Sequence, residues 1–460
     1  MTFWTLDRVT QALKEGLKGA RPLGFTALAG IATDTRNIAT GDVFVALRGE
    51  RFDAHDFLVD AVSRGAAALV VDDATRCPRA GVPVFVVRDT TEALGLLARY
   101  RRRAWGKTVV AIAGSNGKTG TKALTAAALG AVYSVYATSG NLNNHIGVPL
   151  TLLALPDEAD VAVVEIGTNH PGEVAMLRAL AEPDVAVVTS IGEEHLEGFG
   201  DLAGVLREEG AVYEGVALGV APFAQPEVGA LARTLARRVV DAGLDSGDLH
   251  PDRWGIGGDG RGWMLLGETR VEMPFLGAHN LRNAVLAIAV SRALGVPDEA
   301  AARAISALPQ LSMRSALETL GDYLLLSDCY NANPASAREA LTTLDAIHAD
   351  RPRVVVLGSM LELGASSDTY HDEIARQALS SKASVIAGVG EFQRPLTSLN
   401  DSRVVVAADA DALWPLLRER IPPHALILLK GSRGTRLERL VPRLRELAGL
   451  PSVGLAAAPH

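Results

Sequence analysis

One pattern limits the fold more than any other. Short apolar runs rich in Val, Ile, Leu and Ala recur along the chain, and helical patterns fill the intervals between them. The runs are Thr108–Ala113, Val161–Val164, Val185–Val188, Leu324–Leu326, Val354–Leu357, Val385–Ala387, Val404–Ala407 and Leu426–Leu429. Continuous apolar runs of this length suit strands buried on both faces, as in parallel sheets covered by helices. The helical pattern is carried by Thr121–Ala131, Leu281–Leu294 and Ala335–His348. Their alternation predicts an α/β protein with parallel sheets. In such sheets ligands lie beyond the carboxyl ends of the strands, so the polar residues that follow each run are the first candidates for chemistry.

Composition narrows the class. At about 150 residues per domain, a chain of 460 residues has room for about three. Lys and Arg number 45 and Asp and Glu 53, for a net charge of −8. That sign disfavours nucleic acid or an anionic membrane surface as the main partner. Two cysteines, Cys77 and Cys329, exclude a disulfide scaffold and a Cys-rich zinc site and suit a reducing cytosol. Met1–Ala20 mixes Asp7, Arg8, Lys14, Glu15 and Lys18 into a helical pattern and lacks the apolar centre of a signal peptide. No uncharged apolar run approaches the roughly 18 residues that span a bilayer. A soluble, cytoplasmic chain without membrane insertion is expected.

Domain boundaries follow from local shifts. Arg99–Arg103 reads as a solvated helix end, after which a first domain closes near residue 105. Strand–helix alternation restarts beyond Pro309–Leu317. The expected domains are residues 1–105, 106–313 and 314–460. Residues 218–275 are the loosest stretch and read as surface strands and loops.

The strongest chemical signal is Gly114-Ser115-Asn116-Gly117-Lys118-Thr119, set between an apolar run and a helical pattern. Glycines let successive backbone N–H groups turn toward one anion, and the helix N-terminus adds partial positive charge. Lys118 brings a full charge to the β- and γ-phosphates, and the Thr119 hydroxyl suits Mg²⁺. The outer glycine of the full phosphate-loop pattern would fall at Ile112, so the loop is a shortened one. Mg²⁺ on nucleotide phosphates takes one or two further protein oxygens. Glu165 ends the run Val161–Val164, and read alone it serves equally as a metal ligand or as a capping or ion-paired carboxylate. His195 follows the next run, and as a lone histidine it is open to a structural as well as a liganding reading. His170 has no comparable support.

Other stretches extend the pattern: Thr33-Asp34-Thr35-Arg36, Gly41–Phe57, Gly140–Asn144 with Ile146–Pro149, and His195-Leu-Glu-Gly-Phe-Gly. In the last third come Asp328 with Tyr330-Asn331-Ala332-Asn333-Pro334, then Leu357-Gly358 with Met360–Gly364, and Lys430-Gly-Ser-Arg433. Together these residues resemble the Mur ligases over nearly the whole length. The resemblance implies three domains: a small N-terminal α/β domain that holds a UDP-sugar, a central phosphate-loop ATPase with a mainly parallel sheet, and a C-terminal dinucleotide-fold domain that closes over the site. It implies ATP and Mg²⁺, a monomer, and amide formation through an acyl phosphate. Tyr330–Pro334 and Asp53–Phe57 favour members that add D-alanyl-D-alanine to a UDP-N-acetylmuramoyl tripeptide over those that add one amino acid or extend folate with glutamate.

By the same resemblance, Lys118, Glu165 and His195 are the catalytic set. Asp34, Thr35, Arg36, Asn141 and Asn144 serve the UDP-muramoyl peptide. The loop Gly114–Thr119 with His279, Asn280, Asn283, Arg314 and Asp328 serves ATP. Tyr330, Asn331, Asn333 and Pro334 serve the dipeptide, and Thr119, Glu165 and His195 serve the metal. One departure stands out. Family members carry a carbamylated lysine where this chain has Glu209, and no lysine occurs between Lys122 and Lys382. A carboxylate could supply the missing anionic ligand directly, or Glu209 could be a solvated helix residue. Gly120 stands where a threonine is common. The competing readings from other classes are a nucleotide switch or ATPase without a covalent product, and a nicotinamide-binding protein. The latter lacks its Gly-x-Gly-x-x-Gly.

Overall fold

The computed structural model describes residues 2–18, 26–49, 52–78, 81–310, 313–347 and 350–451. Glu50, Arg51, His348 and Ala20, which fall in stretches quoted above, lie outside the described residues. The chain forms two compact units. The first comprises Met1–Ala111, Ser134–Thr168 and Glu173–Asp184, and the second Ile112–Tyr133, Asn169–Gly172 and Val185–His460. No helix among the described residues is long and apolar enough to cross a membrane.

In the first unit, Ile31–Ala32, Val43–Val45, Ala68–Val71 and Val84–Val86 form a parallel sheet in that order. Side chains alternate across the strands. Val43, Val45, Ala68, Val70 and Phe85 enter one buried cluster, and Phe44, Leu69 and Val71 enter another. The helix Thr90–Trp105 packs Ala93, Leu94 and Leu97 into the first cluster. Asp89 caps its start by accepting from the N–H groups of Thr91 and Glu92, and Gly106 (φ +68°) ends it. Its last turn corrects the reading of Arg99–Arg103 as a solvated end. Arg101 is buried and donates to Asp157 at 2.6 Å, and buried Arg102 donates to the carbonyls of Ala181 and Glu182 at 2.8 Å. A buried guanidinium needs such acceptors, so these arginines tie the helix to later segments instead of facing water. The first unit also holds the parallel pair Val135–Ala137 and Val161–Glu165 and the helices Gly147–Leu153 and Glu173–Ala181.

The chain passes into the second unit within the strand Thr108–Ala113. Helix Lys118–Gly130 follows. Val185–Val188, Leu218–Pro222 and Val239–Ala242 run parallel as successive neighbours, and helix Pro226–Leu235 joins the last two. Residues 218–242 are therefore a packed strand–helix–strand element, not loose surface. Gly219 and Pro222 interrupt the apolar run and hid the strand. Gly219 is there because the Tyr213 ring lies against it, 3.0 Å from where a Cβ would stand. Beyond it, Arg253–Ile256, Arg261–Leu266 and Thr269–Leu276 form the expected surface sheet, antiparallel throughout. Helix Ala278–Ala293 then returns to the core.

A six-stranded sheet closes this unit, in the order Ala316–Leu320, Tyr323–Asp328, Leu426–Lys430, Arg353–Leu357, Ala383–Val389, Val404–Ala407. The first pair is antiparallel and the rest parallel. Its two faces bury separate clusters. The last strand in sequence is inserted near the middle, so the carboxyl ends of three strands set Asp328, Lys430 and Leu357 in register.

Candidate active site

The phosphate loop is held open by its neighbours. Gly114 (φ +118°) and Gly117 (φ +88°) adopt left-handed backbone. A Cβ on Gly114 would stand 2.4 Å from Thr189 Oγ1, and one on Gly117 would stand 2.7 Å from Asn283 Oδ1. No side chain fits at either position, so only glycine lets the loop turn here. The Ser115 N–H donates to the Ser190 carbonyl at 2.7 Å, Thr189 Oγ1 donates to the Asn116 carbonyl at 2.6 Å, and the Gly192 N–H donates to Ser115 Oγ at 2.9 Å. Thr189, Ser190 and Gly192 thus brace the loop. Their signal in the sequence was only their place after an apolar run. Lys118 Nζ reaches back to donate to the Gly114 carbonyl, and Thr119 follows it in the first helical turn. Asn283 lies against Gly117, and Asn280 Nδ2 donates to the Leu276 carbonyl at 2.8 Å. His279 stands 3.8 Å from Glu339, and burial holds its ring below the usual histidine range.

Glu209 is not a solvated helix residue. It is fully buried, accepts the Gly114 N–H at 2.7 Å, and lies 4.0 Å from Lys118 Nζ. Burial pushes its carboxyl up to about 8; the Lys118 charge opposes this and the Glu194 charge adds to it. The buried Oε1 atoms of Glu209 and Glu194 find no hydrogen-bond partner among the described residues. Two buried, under-satisfied carboxylate oxygens near a lysine fit a hard cation held mainly by phosphate and water, as Mg²⁺ is. Among the described residues no group of three or more His, Cys, Asp or Glu could hold a metal alone. His195 (φ +48°) pairs through Nδ1 with Glu362 (φ +66°), both in strained left-handed backbone. Burial works against charge on the His195 ring, but the Glu362 hydrogen bond and the Glu194 charge outweigh it and raise its pKa.

The first unit carries the other early candidates. Glu165 is buried at the end of its strand, accepts from Asn143 Nδ2 at 2.8 Å, and donates its own N–H to Thr138 Oγ1 at 3.0 Å. Asn143, not singled out in the sequence, is its partner. Exposed Asn141 offers its carbonyl to the Asn143 N–H, and Asn144 Oδ1 accepts the N–H groups of Ile146 and Gly147 at 3.1 and 2.8 Å. Asp34 caps the turn Thr35–Asn37 and pairs with Arg36 at 2.6 Å.

The remaining candidates gather at the carboxyl ends of the six-stranded sheet. Asp328 accepts the Ser315 N–H at 3.1 Å and pairs with buried Lys430 at 3.0 Å. Lys430 also donates to the Asn331 carbonyl at 2.8 Å. The Arg314 guanidinium stands 4.1 Å from the centre of the Tyr330 ring, a cation–π contact. Pro334 opens the helix Pro334–Ala346, and Asn333 caps it.

Comparison with known proteins gives the family. Residues 27–102 match the catalytic domain of the Mur ligase family, 112–291 the Mur ligase middle domain and 314–433 the Mur ligase glutamate ligase domain. The UDP-N-acetylmuramoyl-tripeptide–D-alanyl-D-alanine ligase of Bacillus subtilis (strain 168) is 34% identical, over 96% of this chain and 99% of that one. A crystal structure of MurF from Acinetobacter baumannii superposes with a TM-score of 0.88 at 30% identity, covering 96% of this chain and 99% of that one. The Thermotoga maritima MurF ligase, solved in complex with ADP, gives a TM-score of 0.82 at 25% identity, over 91% of this chain and 98% of that one.

Proposed function

We propose that this chain, which belongs to the Mur ligase family, is the ATP-dependent ligase that joins D-alanyl-D-alanine to UDP-N-acetylmuramoyl-tripeptide in peptidoglycan precursor synthesis. The observation that carries the reading is the braced loop Gly114–Thr119, in a chain similar over nearly its full length to ligases of that name. Residues 1–105 hold the UDP-muramoyl peptide with Asp34, Thr35 and Arg36, joined by Asn141 and Asn144 of residues 106–313. Residues 106–313 hold ATP, and residues 314–460 hold the dipeptide with Tyr330, Asn331, Asn333 and Pro334. The enzyme works in the cytoplasm as a monomer.

The chemical difficulty is that a carboxylate is a poor electrophile. Phosphorylation by ATP converts it to an acyl phosphate, which an amine can open. Two anions must first be brought together, and their repulsion is severe in a site with little water. Lys118 and the N–H groups of the loop neutralise the γ-phosphate where charge develops. Bound Mg²⁺ supplies further neutralisation of the phosphate oxygens, with Thr119, Glu165, His195 and Glu209 as its proposed ligands. His279, Asn280 and Asn283 hold the adenine side, and Arg314 and Asp328 hold the nucleotide from the C-terminal sheet. The tripeptide carboxylate oxygen attacks the γ-phosphorus in line as ADP leaves. The dipeptide amine then attacks the acyl carbon, and phosphate departs.

Mass spectrometry after incubation with ATP, the UDP-muramoyl tripeptide and D-alanyl-D-alanine tests this directly. A product with the mass of the UDP-muramoyl pentapeptide is expected, and single amino acids in place of the dipeptide should give none. Steady phosphate release without either acceptor would point instead to a nucleotide switch or simple ATPase.

A further inference from the structure

The phosphate loop and the loop before helix Pro334–Ala346 meet through one hydrogen bond that no assigned role uses. Asn333 Nδ2 donates to Asn116 Oδ1 at 3.0 Å. The rest of Asn333 is occupied by its own helix: Oδ1 accepts the Ser336 N–H at 2.8 Å, and its N–H donates to Ser336 Oγ at 3.0 Å. Asn333 is only 3% exposed, so loss of Asn116 would leave a buried N–H without an acceptor. Asn116 is held as firmly, its N–H donating to Ser190 Oγ at 3.3 Å and its carbonyl accepting from Thr189. Gly192 makes the close approach possible. A Cβ there would stand 3.1 Å from Asn116 Nδ2 and 3.4 Å from Ala335 Cβ. Glu193 pairs with Arg338 of the same helix at 3.0 Å.

We infer that the Asn116–Asn333 hydrogen bond couples the two loops, so that the phosphate loop keeps its transferring geometry only while the amine-side loop is docked on it. The inference rests on the ligase reading above. Asn116 sits between the two left-handed glycines of the phosphate loop, and Asn333 ends the segment Tyr330–Asn333. A bond that spans them makes formation of the acyl phosphate and its capture by the amine properties of one closed state. In that state the carboxylate oxygen bonds the γ-phosphorus as the bond to ADP breaks. The amine nitrogen then bonds the acyl carbon as phosphate leaves with that oxygen and carries off the proton the nitrogen gives up. With the loops undocked, water opens the acyl phosphate and ATP is consumed without an amide. Asn116 and Asn333 are positioning residues here.

Two variants separate coupling from stability. Asn333→Ser keeps a side-chain cap on the helix but cannot reach Asn116. Asn116→Ala removes the other end. Hydrogen exchange at the amides of Asn333 and residues 335–337, with Mg²⁺ and a non-hydrolysable ATP analogue, should slow in the wild type and stay unchanged in Asn116→Ala. In turnover, the wild type should release one phosphate per amide formed. Each variant should release about twice that or more, with kcat for the amide down about tenfold. The double variant should be no worse than the singles, as expected for two ends of one bond. Equal slowing of exchange in Asn116→Ala, a phosphate-to-amide ratio of one in both variants, or additive losses would each overturn the coupling. A wild type that makes no amide overturns the ligase reading instead, and the exchange measurement still decides the coupling.

Discussion

Two side chains carry most of the residue-scale chemistry. Lys118 is the one lysine of the phosphate loop, and its Nζ lies over the loop backbone. Lys118→Ala is expected to lower kcat by about 10²–10³-fold, the usual effect of deleting a donor aimed at developing charge. Thermal melting should change little, and phosphate release checks both substrate-dependent and background turnover. Glu209 sits beneath the same loop. Glu209→Gln preserves its shape and an acceptor for the Gly114 N–H but cannot carry charge. A rise of several-fold in the Mg²⁺ concentration needed for half-maximal rate is expected. An unchanged Mg²⁺ requirement would remove Glu209 from the metal. The sequence singled Glu209 out by its resemblance to the family pattern, but its burial was not legible there. Burial depends on how the helix Leu202–Gly210 packs, and the run Arg207-Glu208-Glu209 looks like an exposed face. The same blindness applied to Arg101 and Arg102, whose acceptors come from segments more than fifty residues away.

At the scale of elements, the strands were the legible part because they are buried on both faces and so write continuous apolar runs. The hidden ones carry glycine or proline for reasons set by distant rings, as Gly219 does for Tyr213. Glycines in the phosphate-loop element divide by the same geometry. Gly120 has ordinary φ, and a Cβ there would meet Asn280 Oδ1 at 3.5 Å and Asn283 Nδ2 at 3.7 Å, normal contact distances. Gly120→Ala should stabilise the helix Lys118–Gly130 by about 0.5–1 kcal/mol, read as a higher denaturation midpoint. Gly117→Ala, forced into φ +88° and against Asn283, should instead abolish nucleotide binding.

In the first unit, the turn Ala54–Phe57 depends on Asp53. Burial pushes its carboxyl up, but the His55 N–H and ring and the Arg76 guanidinium outweigh it and hold it at about 2, below the ordinary 3.8. A depressed pKa adds stability that is full above the unfolded value and is lost as pH falls toward the folded one. Asp53→Asn should therefore lower the melting temperature by a few degrees at neutral pH. The gap to the wild type should close as pH falls from about 4 toward 2.

At the scale of the whole molecule, the sheets do one thing in common: they end strands where polar chemistry is wanted. Thr108–Ala113 leads into the phosphate loop, Val161–Glu165 ends on Glu165, and Tyr323–Asp328 ends on Asp328 beside Lys430. The positions of these residues after apolar runs were readable in advance. Their partners were not, because Asn143, Thr189, Glu362 and Asn333 act through contacts that no local spacing encodes. The account as a whole rests on transfer of the γ-phosphoryl group to a carboxylate. Oxygen tracing tests that transfer most directly, with the acceptor tripeptide labelled with ¹⁸O in its terminal carboxylate and turned over with ATP and D-alanyl-D-alanine. The expected result is one labelled oxygen in each phosphate released. Unlabelled phosphate, with the departing label found in AMP or in water, would contradict the acyl-phosphate route.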